Sequence, residues 1–403
     1  MNKIRQIKVD IVIFGAGVAG LWLLRRLLKQ GYSVVLLEAD SIGAGQTRYA
    51  QGIIHGGTKY ALTGKVSDAA QTVAAMPERW RRCLDGEGEL DLAQVKVLSD
   101  FQYLWSTTSL TSRMAGFFAS KLMRSRTQLV SQQDYPALFQ NPEFKGQVYQ
   151  LDEPVLDVAS LLYALAEPAR EHILKIDAAD VTFDCTDTAL IKLKLESMGI
   201  ELTTSKVVLM AGKGNQSLLA LLDRDTPSMQ LRPLHMVAVR GRALTSVYAH
   251  CLGASVNPRI TISSHQDSQG QTVWYLGGQL AEEGVERDAA SQIKAAQKEL
   301  MSLFPWLDCS ACEWMTLPVE RAEVAQMQGH RPDTVYAQEN HHVITAWPTK
   351  LALSPVLAEQ IERLLQEDGL LGAGETDFVN ELKDLPHPRY AVLPWQEEGR
   401  WSW

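Results

Sequence analysis

The sequence predicts an α/β fold, and three observations lead to that prediction. A short apolar run at residues 9–14 suits a strand that is buried on both faces. A glycine-rich turn follows it, and then a leucine-rich stretch over residues 18–30 that reads as a helix. A second apolar run at 33–37 ends on an acid, Glu38. This strand–helix–strand order is typical of parallel sheets covered by helices. The chain has 403 residues, which favours two domains.

The glycine turn has the spacing G-x-G-x-x-G, with its glycines at Gly15, Gly17 and Gly20. The first permits a tight turn, the second removes a side chain where the backbone approaches phosphate, and the third lets the helix pack on the strand. The helix N-terminus offers N–H groups and a positive dipole end to a pyrophosphate. Glu38 is placed to accept hydrogen bonds from a ribose diol. Together these features predict a dinucleotide site, the alternative being a chance glycine turn in an α/β protein.

Composition and charge narrow the class of protein. Apolar residues make up 46% of the chain and charged residues 21%, as in ordinary soluble globular proteins. The formal charge of −8 argues against nucleic acid as a general partner. No apolar run reaches the roughly 18 residues that a membrane span needs. The first residues lack the apolar core and cleavage site of a signal peptide. We therefore expect a cytoplasmic protein with no transmembrane segment.

The five cysteines are scattered, and only Cys309 and Cys312 form a C-x-x-C pair. A redox or zinc role would need a helix N-terminus or a second pair of ligands, and the sequence indicates neither. We therefore favour ordinary loop or core cysteines and expect no metal site.

The segment at residues 41–62, SIGAGQTRYAQGIIHGGTKYAL, is rich in glycine and small polar residues and has little periodicity before Ile53. Such a segment can run along an extended cofactor and reach its reactive ring. Here the sequence resembles the D-amino-acid-oxidase-like superfamily of FAD enzymes, which includes glycerol-3-phosphate dehydrogenases, 2-hydroxyglutarate dehydrogenases and glycine oxidases. The part QTRYAQGIIHGGTKY looks most like the hydroxyacid and glycerol-phosphate branches.

The resemblance recurs in order along most of the chain. The further matching segments are a helix at 153–169, a return strand and turn at 205–219, the entry to a second sheet at 231–241, a G-x-R-P-like motif within 326–334, and a last strand and helix at 341–365. The resemblance implies an FAD-binding Rossmann-like domain of the glutathione-reductase type, interleaved with a mixed-sheet α+β substrate domain. The expected FAD-binding domain comprises 1–75, 150–225 and 335–375, the substrate domain 76–149 and 226–334, and a C-terminal extension 376–403.

The glycine turn and the resemblance together predict the residues that bind FAD. They are Gly15, Gly17, Val18, Ala19, Gly20, Glu38, Ala39, Gln46, Thr47, Gln51, Gly52, Ile53, Val181, Ala211, Gly212, Lys350, Leu351 and Ala352. Val181 would contact the adenine through its backbone. The turn at 348–353 departs from the family, which usually has glycines there. Ser354 and Pro355 still predict the start of the last helix, with Ser354 as its N-cap.

Two arginines and a histidine are the main candidates for the substrate site. Arg331, in the motif GHRP, could bind a carboxylate or phosphate with both arms of its guanidinium, as the resemblance implies. The alternative is a surface arginine before a turn proline. Arg321 is a possible second anion-binding residue. His55 could act near the flavin as a general base or substrate orienter, or it could be a structural histidine of the following glycine turn.

Two further residues could act in the active site or could have ordinary structural roles. Lys350 could stabilise negative charge on the reduced flavin, adding to the dipole of the last helix, or it could be a solvated loop lysine. Tyr275, next to Trp274 on a predicted strand, could wall the substrate pocket, or both aromatic residues could be packing residues.

These features predict an FAD-dependent dehydrogenase or oxidase. It would transfer a hydride to flavin N5 from a carbon that bears a hydroxyl or an amine. The expected substrate is small and anionic: a 2-hydroxyacid, an amino acid or a polyol phosphate. The sequence does not distinguish oxygen, a quinone and an electron-carrier protein or molecule as the electron acceptor. The alternatives are a non-catalytic flavin-binding redox sensor or subunit, and a flavoenzyme that modifies a macromolecule such as tRNA, using the basic run KLMRSR at 121–126.

Overall fold

The computed structural model describes residues 4–57, 67–107, 127–185, 190–253, 257–372, 374 and 377–402, so the basic run at 121–126 lies outside the described residues. The strands in these ranges are β1 (Arg5–Phe14), β2 (Val34–Glu38), β3 (Val97–Ser99), β4 (Gln102–Ser106), β5 (Thr127–Leu129), β6 (Gln147–Leu151), β7 (Val155–Leu156), β8 (Ile173–Lys175), β9 (Val181–Asp184), β10 (Ile191–Leu195), β11 (Ile200–Leu209), β12 (Met229–Arg240), β13 (Ala249–Cys251), β14 (Ile260–Gln266), β15 (Thr272–Gly277), β16 (Glu313–Val324), β17 (Tyr336–Asn340) and β18 (Val343–Trp347). The α-helices in the same ranges are α1 (Val18–Lys29), α2 (Asp68–Ala74), α3 (Met76–Leu84), α4 (Val158–Ala166), α5 (Asn215–Leu221), α6 (Gln279–Glu283), α7 (Ala289–Leu303) and α8 (Ser354–Glu367).

The first large sheet has the strand order β17-β18-β11-β1-β2-β8, and β10 and β9 continue from β11. Strand β1 is parallel to both β2 and β11, as the sequence predicts for a buried strand. Its side chains alternate between two apolar clusters. Ile11 and Ile13 pack with residues of α1 and α8, whereas Val12 and Phe14 pack with residues of β10 and α5. Strand β1 is therefore covered on both faces, which explains its almost continuous apolar sequence.

The second large sheet has the order β16-β12-β15-β14-β13-β4-β6-β5. Strand β12 is antiparallel to β16 along its whole length, and one face packs on α7. The strands of the two sheets interleave along the chain, and the prediction of a mixed α/β fold is confirmed. Strand β6 crosses the predicted domain boundary between residues 149 and 150. The domain boundaries themselves stay predictions.

The C-terminal segment at 386–402 contacts both large sheets or their connections. Tyr390 pairs with Ile42 just after β2, and Ser402 pairs with Trp314 in β16. Trp395 stacks on His265 of β14, with ring centroids 3.9 Å apart. The segment thus links the first large sheet to the second. In the ranges that the structure covers, every helix is too short or too polar to cross a membrane.

A buried arginine anchors the same segment to the second sheet. Arg240 forms ion pairs of 2.9 Å with Asp267, Glu313 and Glu398, of which Glu398 belongs to the C-terminal segment. Its guanidinium also lies over the ring of Trp401, 4.5 Å from the centroid. The three carboxylates are held together by one cation, which a planar guanidinium can bind from several sides.

Candidate active site

The glycine turn after β1 is the predicted phosphate-binding turn. Gly15 has φ of +104°, and an added Cβ there would lie 2.6 Å from the carbonyl oxygen of Met210. At Gly20 the added Cβ would lie 2.0 Å from the Gly15 carbonyl oxygen. At Gly17, by contrast, the nearest described atom would be the Thr47 hydroxyl at 3.3 Å. Gly15 and Gly20 are thus required by backbone packing, whereas at Gly17, at the N-terminus of α1, an added Cβ would press only on one side-chain hydroxyl.

Glu38 lies at the end of β2 against this turn. Its two oxygens accept hydrogen bonds from the backbone N–H groups of Ala16 and Asp40, each at 2.7 Å. Burial raises the pKa of Glu38, although these two bonds oppose the shift. The carbonyl of Ala39 accepts a hydrogen bond from Lys175. Val181, predicted to contact the adenine, begins β9 and is buried.

The segment after β2 runs between the two sheets, where an extended cofactor would need it. The Thr47 hydroxyl accepts a hydrogen bond from the Val18 N–H at 3.2 Å, next to buried Ala19. Gln46 Oε1 accepts one from the Ala322 N–H of β16 at 3.0 Å. Gln51 Nε2 donates to the Tyr275 carbonyl of β15 at 3.0 Å. These bonds connect the segment to α1 on one side and to the second sheet on the other.

The return turn after β11 is fixed to β18 by two side chains. Asn215 accepts a hydrogen bond from the Ala211 N–H at 2.7 Å and donates one to the Ala346 carbonyl at 3.1 Å. Trp347 Nε1 donates to the carbonyl of Gly212 at 3.0 Å. Gly212 has φ of +59°. An added Cβ there would lie 3.6 Å from Gln46 Oε1, so this turn lies beside the segment that follows β2.

The turn before α8 forms without glycine. Thr349 takes the left-handed conformation, with φ of +59°, and the Lys350 N–H donates to the Pro348 carbonyl at 2.7 Å. A 3₁₀ turn at Leu351–Leu353 follows, and Trp80 donates to the Ala352 carbonyl at 2.9 Å. The prediction of Ser354 as N-cap is wrong. The 3₁₀ turn leads directly into α8, so Ser354 is already helical, and its hydroxyl donates to the Leu351 carbonyl at 2.8 Å.

Three arginines meet at this end of the molecule. Arg321 of β16 lies opposite Arg232 of β12, and its Nε donates to the Arg232 carbonyl at 3.1 Å. Burial, followed by the charges of Arg232 and Arg331, lowers the pKa of Arg321 to about 9. Arg232 has a carboxylate partner, Glu323, at 2.8 Å. Within the described residues, no hydrogen bond or ion pair involves the terminal nitrogens of Arg321. The charges of Glu282 and Glu323 act on the pKa of Arg321 in the opposite direction, but less strongly than burial and the two arginines.

The structure connects Arg331 to the turn before α8. Its Nη2 donates to the carbonyl oxygen of Thr349 at 3.2 Å, so the predicted substrate motif contacts the residue next to Lys350. Arg331 and Arg321 are also close enough for their charges to interact. The structure thus brings Arg321 and Arg331 together and sets Arg331 against the backbone of the turn that contains Lys350.

His55 lies in a different group, at the end of the segment that follows β2. Its side chain is 42% exposed, and Nδ1 is 3.5 Å from Oε2 of buried Glu153. The ring of His250 lies nearby, 5.8 Å away between centroids. Ile53, two residues earlier, is bridged to Val155. The sequence analysis assigns no role to Glu153, which begins the matching segment 153–169, or to His250, which lies in no matching segment.

Tyr275 is a packing residue, not a pocket wall. Its side chain is completely buried, its hydroxyl donates to the Tyr49 carbonyl at 3.2 Å, and its ring lies 5.4 Å from that of Trp395. Trp274 is also completely buried. The pocket-wall prediction fails because both faces of β15 are covered, one by α7 and the other by the segment after β2 and the C-terminal segment. Cys309 and Cys312 share a tight turn, and the described residues contain no group of three metal-ligating side chains.

Comparison with known proteins identifies the family of this chain. A family model described as FAD dependent oxidoreductase matches residues 10–362. The chain belongs to this family. FAD is therefore its cofactor, as predicted. The absence of a side chain at Gly17, at the N-terminus of α1, fits the phosphates of a dinucleotide. The prediction that the protein is an enzyme is likewise confirmed.

Individual relatives of this FAD-dependent oxidoreductase agree with the family match. A probable FAD-dependent oxidoreductase of Pseudomonas aeruginosa is 44% identical over 393 residues, 97% of this chain and 98% of that protein. Its crystal structure has a TM-score of 0.83 at 40% identity, with 97% and 98% of the two chains covered. Glycine oxidase from Geobacillus kaustophilus has a TM-score of 0.65 at 15% identity, covering 96% and 100%. L-α-Glycerophosphate oxidase from Mycoplasma pneumoniae with bound FAD has 0.65 at 13%, covering 89% and 95%. The last two likenesses concern the fold alone.

Proposed function

We propose that this FAD-dependent oxidoreductase oxidises a small anionic substrate at a carbon that bears a hydroxyl or an amine. The observation that carries the proposal is the environment of Arg321. Its guanidinium is desolvated, two other arginines are close, and its terminal nitrogens have no partner among the described residues. A partly buried cation with no hydrogen-bonded carboxylate is costly, and an anionic ligand offsets that cost.

Arg331 would supply the second contact to the anion. A planar guanidinium can donate two parallel hydrogen bonds to a carboxylate or phosphate and so fix its orientation. The bond from Arg331 to the Thr349 carbonyl holds this side chain against the turn before α8. Bound FAD supplies the hydride acceptor at flavin N5. Lys350 and the N-terminus of α8 would add positive potential beside the bound flavin.

His55 would accept the proton that the substrate hydroxyl or amine loses. Its ring is partly exposed, so a substrate can reach it, and a buried carboxylate lies behind it. The candidate substrates remain 2-hydroxyacids, amino acids and polyol phosphates. Two solved structures with this fold, glycine oxidase and L-α-glycerophosphate oxidase, have names that suggest an amino acid and a polyol phosphate as substrates.

A panel of these three substrate classes, mixed anaerobically with the purified protein, tests the proposal. Bleaching of the flavin absorbance near ~450 nm is the readout. We expect at least one anionic compound to reduce the flavin, and Arg321→Met to weaken that reaction about tenfold or more, since a charged hydrogen bond contributes about 1.5–3 kcal/mol. The matched control is Arg259→Met, because Arg259 has its own partner, Glu299, at 2.5 Å. Reduction by neutral amines or alcohols alone would contradict the anionic substrate. Reduction by no compound in the panel would favour the redox sensor.

A further inference from the structure

We propose that Glu153 is a positioning residue, which holds His55 in the tautomer and orientation that proton acceptance requires. The inference rests on the proposed function of His55 as the proton acceptor. Glu153 itself does not face the substrate, because its side chain is 3% exposed.

The backbone sets His55 and Glu153 opposite each other. Ile53 and Val155 form an antiparallel bridge, and the Ile54 N–H donates to the Pro154 carbonyl at 2.9 Å. In this antiparallel register, the residue two positions after Ile53 lies opposite the residue two positions before Val155. His55 is therefore paired with Glu153. At the other end, Gly52 has φ of +75°, and an added Cβ there would lie 2.0 Å from the Leu156 carbonyl oxygen. The two segments therefore pack too closely to slide past each other.

The Glu153 carboxylate is held in place by several hydrogen bonds. Oε1 accepts from the Gly56 N–H at 2.6 Å, and Oε2 accepts from Gln102 Nε2 at 2.5 Å. Burial acts to raise the pKa of Glu153, but the hydrogen bond and charge of His55, together with the Gly56 N–H, hold it below its usual range. The carboxylate is therefore ionised at neutral pH and keeps a fixed position.

An ionised carboxylate on one side of an imidazole determines where the ring proton lies. Nδ1 of His55 faces Glu153 Oε2 at 3.5 Å, so the proton of the neutral ring stays on Nδ1. Nε2 is then unprotonated and can accept a proton from a substrate. The negative charge behind the ring also stabilises the imidazolium that results.

His250 is a second titratable group, among the described residues, that acts on this pair. It lies on β13, its Nδ1 contacts the Thr261 hydroxyl at 2.8 Å, and its ring is buried. Burial, followed by the charge of His55, lowers the pKa of His250 to about 3. His250 therefore stays neutral near neutral pH, and Gln102 and Thr261 do not titrate.

Anaerobic flavin reduction by a substrate from the panel, followed across pH, tests the inference kinetically. In Glu153→Gln we expect the maximal rate to fall about tenfold to hundredfold. The fall in the reduction rate at low pH, which we call the acid limb of the pH profile, should also move to lower pH, because the imidazolium has lost its counter-charge. The control is Glu362→Gln, which removes another buried carboxylate, one that pairs with Arg26 at 2.6 Å. Its acid limb should match that of the wild type.

Nitrogen NMR of the ¹⁵N-histidine-labelled holoenzyme tests the tautomer without any change at Glu153. His55→Gln identifies the His55 signals by their loss. We expect the neutral ring of His55 to carry its proton on Nδ1 in the wild type. A proton on Nε2 would overturn the inference, even if Glu153→Gln failed to fold.

The failures of the two proposals are distinguishable. If His55→Gln removes the acid limb but Glu153→Gln keeps the wild-type profile and tautomer, the positioning role is wrong and the base role stands. If His55→Gln keeps the wild-type rate and profile, the base role is wrong and the positioning role falls with it.

Discussion

Nη2 of Arg331 donates a hydrogen bond to the carbonyl oxygen of Thr349, and the two atoms are 3.2 Å apart. This bond joins the loop after β16 to the turn before α8. The first segment is the candidate substrate motif, and the second is the candidate flavin contact. The side chain that would orient the substrate is therefore positioned by the same turn that would contact the cofactor.

Arg331→Lys should damage turnover although it keeps the charge. Lysine offers a point charge and cannot hold a carboxylate in one orientation. We expect kcat/KM to fall about tenfold or more, with bound FAD and its spectrum unchanged, and Arg331→Ala to be worse. Sulfate or benzoate should compete with the substrate in the wild type but not in Arg331→Ala. Wild-type rates of flavin reduction in both variants would remove Arg331 from the substrate site.

Gly17→Val and Gly15→Val should fail in different ways. At Gly17 a side chain enters the predicted phosphate site and presses only on the Thr47 hydroxyl, so FAD content should fall sharply while the free energy of unfolding of the apoprotein falls far less than in Gly15→Val. At Gly15 the positive φ and the Met210 carbonyl leave no room, so the fold itself should be destabilised. Flavin absorbance per protein and thermal unfolding of the apoprotein separate the two effects. Unchanged flavin content in Gly17→Val would place the phosphates elsewhere.

His265 should make the protein less stable in mild acid. Burial lowers its pKa to about 3, so between about pH 6.5 and 3 the unfolded chain binds a proton that the folded chain does not. Stability is therefore lost as pH falls through this window, by about 1.4 kcal/mol per pH unit from this one group. Urea unfolding at pH 7.5, 6 and 5 should show wild type losing stability faster than His265→Gln. Parallel loss in both proteins would contradict the prediction.

Two changes at the anchor of the C-terminal segment should differ in size. Arg240→Met leaves Asp267, which is 1% exposed, without its cation, and should cost about 3–5 kcal/mol of unfolding free energy. Glu398→Gln removes a carboxylate that is 44% exposed and should change little. Urea denaturation of both variants checks this order. Equal losses would show that Arg240 acts chiefly through the C-terminal segment, not through the buried carboxylate.

Local spacing explains what the sequence could predict. Strand β1, the three glycines and helix α1 follow one another directly, so their geometry is encoded in adjacent residues. The proximity of Arg321 to Arg331 depends on how β16 and the following loop fold back, and that proximity is invisible in the spacing. The pairing of His55 with Glu153 depends on the register of two distant segments. The prediction of Ser354 as N-cap fails because the 3₁₀ turn before it leads directly into α8.

The strand order of the first sheet has a consequence for how the chain is made. Strand β1 is synthesised early, yet it pairs with β11, at residues 200–209, and β11 in turn pairs with β18, at residues 343–347. Parallel pairings between such distant segments are slow to form, because a long loop must close before any contact stabilises it. The ribosome has therefore made most of the chain before the sheet beneath the glycine turn can be completed. Tight capture of FAD should accordingly be a late event in the maturation of this protein.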